Sequence, residues 1–437
     1  MPFCNTEQPE PTLRRALSRW DLTAIGVNQV IGAAVFLMPS RVAALVGNWS
    51  PFAFLAVGFA SFLVALCFAE VGSRFEGTGG PFLYARAAFG RFVAFEVGWM
   101  QWFTRVASYA SVANGVVLAI GYYQPAMTAG WNRALVLTGL VGALTFINVR
   151  GIRLSAWTVD LLTIGKLAPL AIFIVVGMFF LEPARLSFLP PISLGQASAA
   201  VLLLIFAFGG YEVVPVPAGE ANVPRHHVPF ALISTVVAVT VIMTLAQVVA
   251  MGTHADIAAS ATPLADAAFL FLGGAGALMM SLGSIISMMG NTAGQVLTSS
   301  RMLFALAEHG DLPRFFGRVH RVYRTPANAV LFTSAVVLVL ALSGSFVWLA
   351  IASAVSRLVI YASSCAATLI LRRPRFIGRV KPATFVIPLG PVVPVLALLV
   401  LAGVVAAASV EQLVGGLGAL AAGAAFFFIH CRLSPKS

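Results

Sequence analysis

Long apolar runs separated by short polar stretches set the pattern of this chain. They are Asp21–Val46, Pro51–Val71, Phe92–Tyr122, Arg133–Val149, Leu154–Phe180, Ala197–Pro217, Pro229–Met251, Ala267–Leu306, Ala327–Leu342, Phe346–Leu371, Val386–Ala408 and Leu413–Cys431. Crossing a bilayer takes about 20 mostly apolar residues in a helix. The pattern therefore predicts an all-α membrane protein with twelve transmembrane helices. The eighth run is long enough to continue as helix beyond the membrane.

Two of these runs are interrupted. The first carries Ile31-Gly32-Ala33-Ala34-Val35-Phe36-Leu37-Met38-Pro39, and the sixth carries Phe206-Ala207-Phe208-Gly209-Gly210-Tyr211-Glu212, followed by Pro215 and Pro217. A helix broken at membrane depth frees backbone N–H and C=O groups that are costly in hydrocarbon. Such breaks sit where a membrane protein holds substrate or ions. Small residues also let transmembrane helices approach closely, which is enough to explain either run alone. Two breaks at matching places favour a site. The second lies five crossings after the first, so they start on opposite faces of the membrane. That arrangement predicts an inverted repeat of two five-helix halves, residues 21–180 and 197–371, with the last two helices (386–431) outside it. Residues 1–20 are polar and Pro-containing and read as a flexible cytoplasmic tail, and 432–437 as a short cytoplasmic C-terminus.

Composition supports the membrane reading. Of 437 residues, 59% are hydrophobic and only 10% charged, against about a quarter charged in soluble domains. A net charge of +12 would suggest nucleic acid in a soluble protein, but its distribution gives another answer. Twenty-one of the 27 Lys and Arg residues fall in alternate loops on one side, while Arg41, Arg133 and Arg185 lie on the other and Arg105, Lys166 and Arg357 lie within runs. This is the positive-inside asymmetry. It places both termini in the cytoplasm of a multi-pass protein of the plasma (inner) membrane. The first apolar run is too long for a cleavable signal. Cys4, Cys67, Cys365 and Cys431 form no disulfide or metal pattern. No phosphate loop, catalytic triad or metal-hydrolase motif is present, so neither an enzyme nor a cofactor is expected.

The first break would offer N–H groups around Gly32, Ala33 and Ala34, which suit a carboxylate. Carbonyls near Gln29 and Val30, and from Phe206 through Phe208 to Gly209, would accept from an amine. Lys166 stands 13 residues past Arg153, about 20 Å of helix, too deep to snorkel easily. A lysine there costs roughly 2.5–3.5 kcal/mol unless paired or hydrated, which marks it as a coupling-site candidate. Glu212 follows the second break by two residues and serves either as a coupling acid or as a structural acceptor. Arg105 and Arg357 lie well inside runs and need partners; structural pairing away from direct contact with substrate is the expectation for both, with Arg105 facing the cavity as the alternative. Glu70, Glu96 and Asp160 lie near the cytoplasmic ends, where hydration explains them. Ser284, Ser287, Asn291, Gln295 and Thr298 share one helix face, for packing or for lining a cavity. His226 and His227 read as solvated loop residues with no metal cluster beside them.

Several motifs fall in order on these runs. The first carries a form of G-x-G-[IV]-F-x-x-P. Gly79-Gly80-Pro81-Phe82-Leu83-Tyr84-Ala85-Arg86 follows the second, and Asn148-Val149-Arg150-Gly151 ends the fourth. Gly219-Glu220-Ala221-Asn222-Val223-Pro224-Arg225 follows the sixth. Ser300-Arg301 and Ala307-Glu308-His309-Gly310-Asp311-Leu312-Pro313 close the eighth. From about Asp21 to Leu371 the chain resembles the amino acid–polyamine–organocation superfamily of transporters. That resemblance implies a LeuT-type fold and secondary active transport of amino acids or related amines. It implies that Phe206 is an aromatic gate, that Gln295 lines the substrate and that Glu212 answers to gating or protons. It also implies that Lys166 occupies a former sodium site, as a proton carrier or a fixed charge. The family commonly has glycine where this chain has Ala34, and an alanine costs about 1 kcal/mol there if φ is positive. The reading is an amino-acid permease working by alternating access, proton-coupled or a sodium-independent exchanger. A polyamine transporter, a non-transporting sensor and a channel-like pore are the alternatives. No acid adjoins either break to hold a multiply charged amine, which points to neutral amino acids.

Overall fold

The computed structural model describes residues 13–186, 191–343, 346–408 and 410–433. In chain order the helices are α1 (Arg19–Val30), α2 (Ala34–Val46), α3 (Ser50–Gly72), α4 (Pro81–Phe89), α5 (Arg91–Tyr123), α6 (Gly130–Arg150) and α7 (Ile152–Gly177). There follow α8 (Leu194–Ala207), α9 (Pro224–Thr253), α10 (Pro263–Glu308), α11 (Ala327–Ser343), α12 (Phe346–Leu371), α13 (Val392–Ala406) and α14 (Val410–Leu433). Seven stretches among the described residues are long and apolar enough to cross a membrane. That is fewer than the twelve apolar runs, because α2 and α3 count as one stretch, Ala34–Gly72, and four others (Leu194–Ile205, Ala327–Ser343, Ser356–Leu371 and Val392–Ala406) are short.

Local chemistry sets the boundaries. Ser18 caps α1, its hydroxyl accepting from the Trp20 and Asp21 N–H groups while Asp21 accepts the Ser18 N–H at 2.6 Å. The helix stops at Ile31, where ψ swings to 80°, and α2 resumes at Ala34. In the sixth run α8 ends at Ala207, and the expected second helical half is instead two short 3₁₀ turns, Tyr211–Val213 and Val216–Glu220. Pro215 and Pro217 lack the N–H groups an α-helix would need there. The long α10 is interrupted at Gly273, whose φ of 62° and ψ of −155° are not helical.

The bundle packs α3 on α9, α5 on α10 and α12, α7 on α10, and α1 on α9. From Gly290 to Ala307, α10 is buried without interruption. The segment before α1 is not the free tail expected through residue 20. Ala16 and Leu17 donate to the Glu220 carbonyl at 2.8 and 2.9 Å, Asn222 donates back to the Leu17 carbonyl at 2.9 Å, and Leu17 is buried. His226 and His227 lie in the first turn of α9 rather than in a loop.

Candidate functional site

The end of α1 leaves acceptors without helical donors, and α7 and α10 supply replacements. Lys166, fully buried on α7, donates from Nζ to the carbonyls of Asn28 (3.1 Å), Ile31 (2.6 Å) and Ser287 (3.2 Å). An ammonium has three protons, and each finds an oxygen. The Ser287 hydroxyl lies 3.0 and 2.9 Å from the Ile31 and Gly32 carbonyls. The Asn291 amide donates to Gln29 O at 3.0 Å, while the Asn28 and Gln29 side chains donate in return to the Gly290 and Asn291 carbonyls. A cation at the negative end of a helix is the favoured electrostatic arrangement.

The second break lies directly against the first. Gly210 has φ of 141°, and a Cβ there would sit 2.6 Å from the Gln29 carbonyl oxygen. Only glycine permits this backbone approach. Beyond it, Glu212 is fully buried and saturated. Its Oε1 accepts from Arg105 and lies 3.3 Å from Arg357 Nε, while Oε2 accepts the Gly210 N–H at 2.7 Å and the Tyr361 hydroxyl at 2.9 Å. Arg105 also reaches the Gln29 side-chain oxygen at 3.4 Å, which ties the ion cluster to α1.

Most of the expected substrate residues gather here. Val30 and Gly32 are buried at the end of α1, and Ala33 and Ala34 are half-buried at the start of α2. The strain anticipated at Ala34 is absent. Ala33 has φ of −68°, and Arg324 and Leu389 are the only positive-φ non-glycine residues among those described. The Gln29 carbonyl, expected to await an amine, is taken up by Asn291. Gln295 is buried and donates to Ser108 at 2.8 Å and to Asn291 at 3.2 Å. Phe208 packs into the core beside Phe54, ring centroids 6.4 Å apart. The side chain of Phe206 lies outside the described residues.

Access to the two ends differs. The α5 face that meets α10 is buried at Gln101 and Arg105 but half-buried at Ser108, Val112 and Gly115. Ser108 accepts from Gln295 inside the bundle. Toward the N-terminal face, Arg301 makes a two-point ion pair with Glu220 at 2.9 and 3.2 Å, both side chains fully buried. A cleft of about 1440 Å³, lined by Arg15, Thr78, Gly219 and Arg314 among others, opens on that face.

Further ion pairs tie the same face together. Asp311 holds Arg86 at 2.7 Å and Arg91 at 2.5 Å. Glu70, expected to be hydrated, is instead buried, bonded to Arg372 at 2.7 and 2.5 Å and to the Ile387 N–H. Glu96 is buried as well, because α14 covers it. At the surface Lys381 bonds Glu76 at 2.7 Å and holds its carboxyl below the usual range. Asn28, Tyr361 and the Glu220–Arg301 pair were not singled out by sequence. Tyr361 carried one signal, its place one turn after Arg357.

Known proteins offer a comparison for this arrangement. The amino acid permease family model matches residues 17–419. The serine/threonine exchanger SteT of Bacillus subtilis is 29% identical, the match covering 85% of this chain and 86% of the relative. The methylthioribose transporter of the same organism is 26% identical over 90% and 88%. Its branched-chain amino acid permease BcaP is 24% identical over 74% and 73%.

Proposed function

This chain belongs to the amino acid permease family, and from that premise we propose that it carries amino acids across the plasma membrane by alternating access. The observation that carries the reading is the contact between two helix breaks, with Lys166 on the carbonyls of the first and Glu212 on the N–H of the second. The substrate's carboxylate docks on the first-turn N–H groups of α2 near Ala33 and Ala34, which are the half-buried part of the break. Lys166 fills the position a sodium ion would need, with its donors on the same backbone oxygens. Transport is then proton-coupled or a sodium-independent exchange.

The inverted repeat has support of the same kind. Lys166, on the fifth apolar run, meets the break in the first, and Arg357, on the tenth, lies against the break in the sixth. The buried Glu220–Arg301 pair and the docked N-terminal segment close the basic face, which the charge pattern makes cytoplasmic.

Uptake of a labelled amino-acid panel into proteoliposomes under imposed pH or sodium gradients tests this reading. Accumulation or counterflow without sodium is expected. Sodium-driven uptake would overturn the role of Lys166, and no counterflow of any amino acid would overturn the transporter.

A further inference from the structure

The cleft on the N-terminal face gathers much of that face's basic charge. Five arginines line it, Arg15, Arg314, Arg318, Arg321 and Arg324, against the carboxylates of Glu76 and Glu308. Glu76 is already bonded to Lys381 outside the lining. Asp311 and Glu220 adjoin lining residues but are held by Arg86, Arg91 and Arg301. Helix ends change the balance little. The C-terminal end of α10 is worth about −0.5 charge, while the ends of α1 and α4 beside the cleft are positive and Asp21 offsets that of α1. The lining keeps an excess of about two positive charges. Among the described residues, the side chains of Arg15, Arg314, Arg318 and Arg321 enter no hydrogen bond or ion pair.

Membrane orientation asks for basic residues in cytoplasmic loops, wherever along the loop they fall. It does not ask for their convergence on one cavity, where like charges repel and the field is focused on anions. The loop that carries four of the five is also held in place. Thr325 is buried and donates to the Val149 carbonyl at 2.8 Å, Asn328 donates to the Phe315 carbonyl at 2.9 Å, and the Phe316 and Phe332 rings meet at 4.9 Å. The His320 N–H bonds the Thr325 carbonyl at 2.8 Å and the Arg324 N–H returns to the His320 carbonyl at 2.9 Å, a turn in which Arg324 takes a φ of 56°. A site on a fixed frame loses less entropy when it grips a ligand.

Shape and chemistry select the ligand. Guanidinium forks match phosphate oxygens two at a time. A cavity of about 1440 Å³ exceeds the roughly 300–1,000 Å³ of common ligand pockets, so one phosphate would leave most of it empty. Several linked phosphates can meet several arginines at once. The position of Arg15 gives such binding a consequence. Arg15 belongs to the segment whose Ala16 and Leu17 N–H groups hold the Glu220 carbonyl, and Gly219, the next residue back, packs on Thr78. A ligand gripped by Arg15 and by the loop after α10 ties that segment down.

Resting on the transporter reading above, we propose that this cleft binds an anion bearing several phosphate groups and that its occupancy holds the cytoplasmic face closed, slowing exchange. The same chemistry has a soluble source, a nucleoside triphosphate or inorganic polyphosphate, and a membrane source, a lipid headgroup with more than one phosphate.

Thermal stabilisation and calorimetric titration of the purified full-length protein test the binding, with ATP, sodium tripolyphosphate and, at matched ionic strength, sodium sulfate. ATP or tripolyphosphate should raise the melting temperature and bind about tenfold more tightly than sulfate. Arg314→Gln/Arg318→Gln/Arg321→Gln should weaken that binding about tenfold, and Arg15→Gln alone should weaken it in the same direction. Arg373→Gln/Arg375→Gln/Arg379→Gln, which removes equal charge from a loop outside the lining, should leave it unchanged. Stabilisation by cardiolipin nanodiscs that the first triple variant abolishes, with none by the soluble probes, would assign the headgroup as the source. No binding of any of these, equal binding of sulfate, or equal loss in both triple variants would overturn the site. In proteoliposomes, tripolyphosphate on the cytoplasmic side, or cardiolipin in the bilayer, should slow amino-acid counterflow by the wild type but not by the first triple variant. Binding with unchanged counterflow would overturn the closure. Absence of counterflow of every amino acid would overturn the transporter, and the titration would still decide the site.

Discussion

The two helix breaks solve opposite backbone problems. At the first, α1 ends and presents carbonyls, and a cation, Lys166, supplies the missing donors. At the second, the exposed group is the Gly210 N–H, and an anion, Glu212, supplies the acceptor. The first break uses ordinary backbone angles and is held by side chains from α7 and α10. The second requires a glycine in the left-handed half of φ, pressed against Gln29. A break held by side chains from neighbouring helices can move without unravelling its own backbone. One held by a shared carboxylate and a backbone fit is a rigid fulcrum. On the proposed function, motion and coupling fall to the first break and geometry to the second.

The largest effect should come from the anion. Glu212→Ala leaves two guanidiniums without their shared carboxylate, and breaking a buried pair costs about 3–5 kcal/mol. Thermal unfolding in detergent should show that loss, and adding Arg105→Met should recover part of it. A single variant as stable as the wild type would mean that the second break is not held by ions.

Lys166→Met should cost less, about 1–3 kcal/mol for carbonyls left short of donors, because Ser287 and Asn291 still reach the same oxygens. Its transport should lose pH dependence. Full pH dependence in a Lys166→Ala protein would reduce the lysine to structure. Backbone demands separate the breaks next. Gly210→Ala should destabilise by about 1–3 kcal/mol, whereas Ala34→Gly should cost no more than about 0.5–1 kcal/mol. Equal losses would erase the contrast.

The smallest effect lies at the surface. Because Lys381 depresses the Glu76 carboxyl, the pair adds stability at neutral pH that is lost as pH falls through that depressed value. Both side chains are more than a third exposed, so solvent screens the pair and Lys381→Ala should cost under about 1 kcal/mol at pH 7. Denaturation curves of the two proteins should converge in acid; a gap that widens there would contradict the sign.

Much of this organisation was legible along the chain. The apolar runs, both interruptions, the depth of Lys166 and the polar face of α10 follow from hydropathy and helical spacing, which depend on near neighbours. The pairings were not legible. Arg105 meets Glu212 across 107 residues, and Arg301 meets Glu220 across 81. Each charge announced a need for a partner without naming it. The cost feared at Ala34 also needed the fold, since only the observed angles show that the chain turns without a left-handed residue there.

The sequence by itself determined where the chain is apolar, where helices must stop and which face carries the basic loops, because solvation and backbone chemistry act residue by residue. Tertiary structure decided which buried charges neutralise one another and how tightly the breaks touch. Those depend on distances of a few ångströms between segments far apart in sequence.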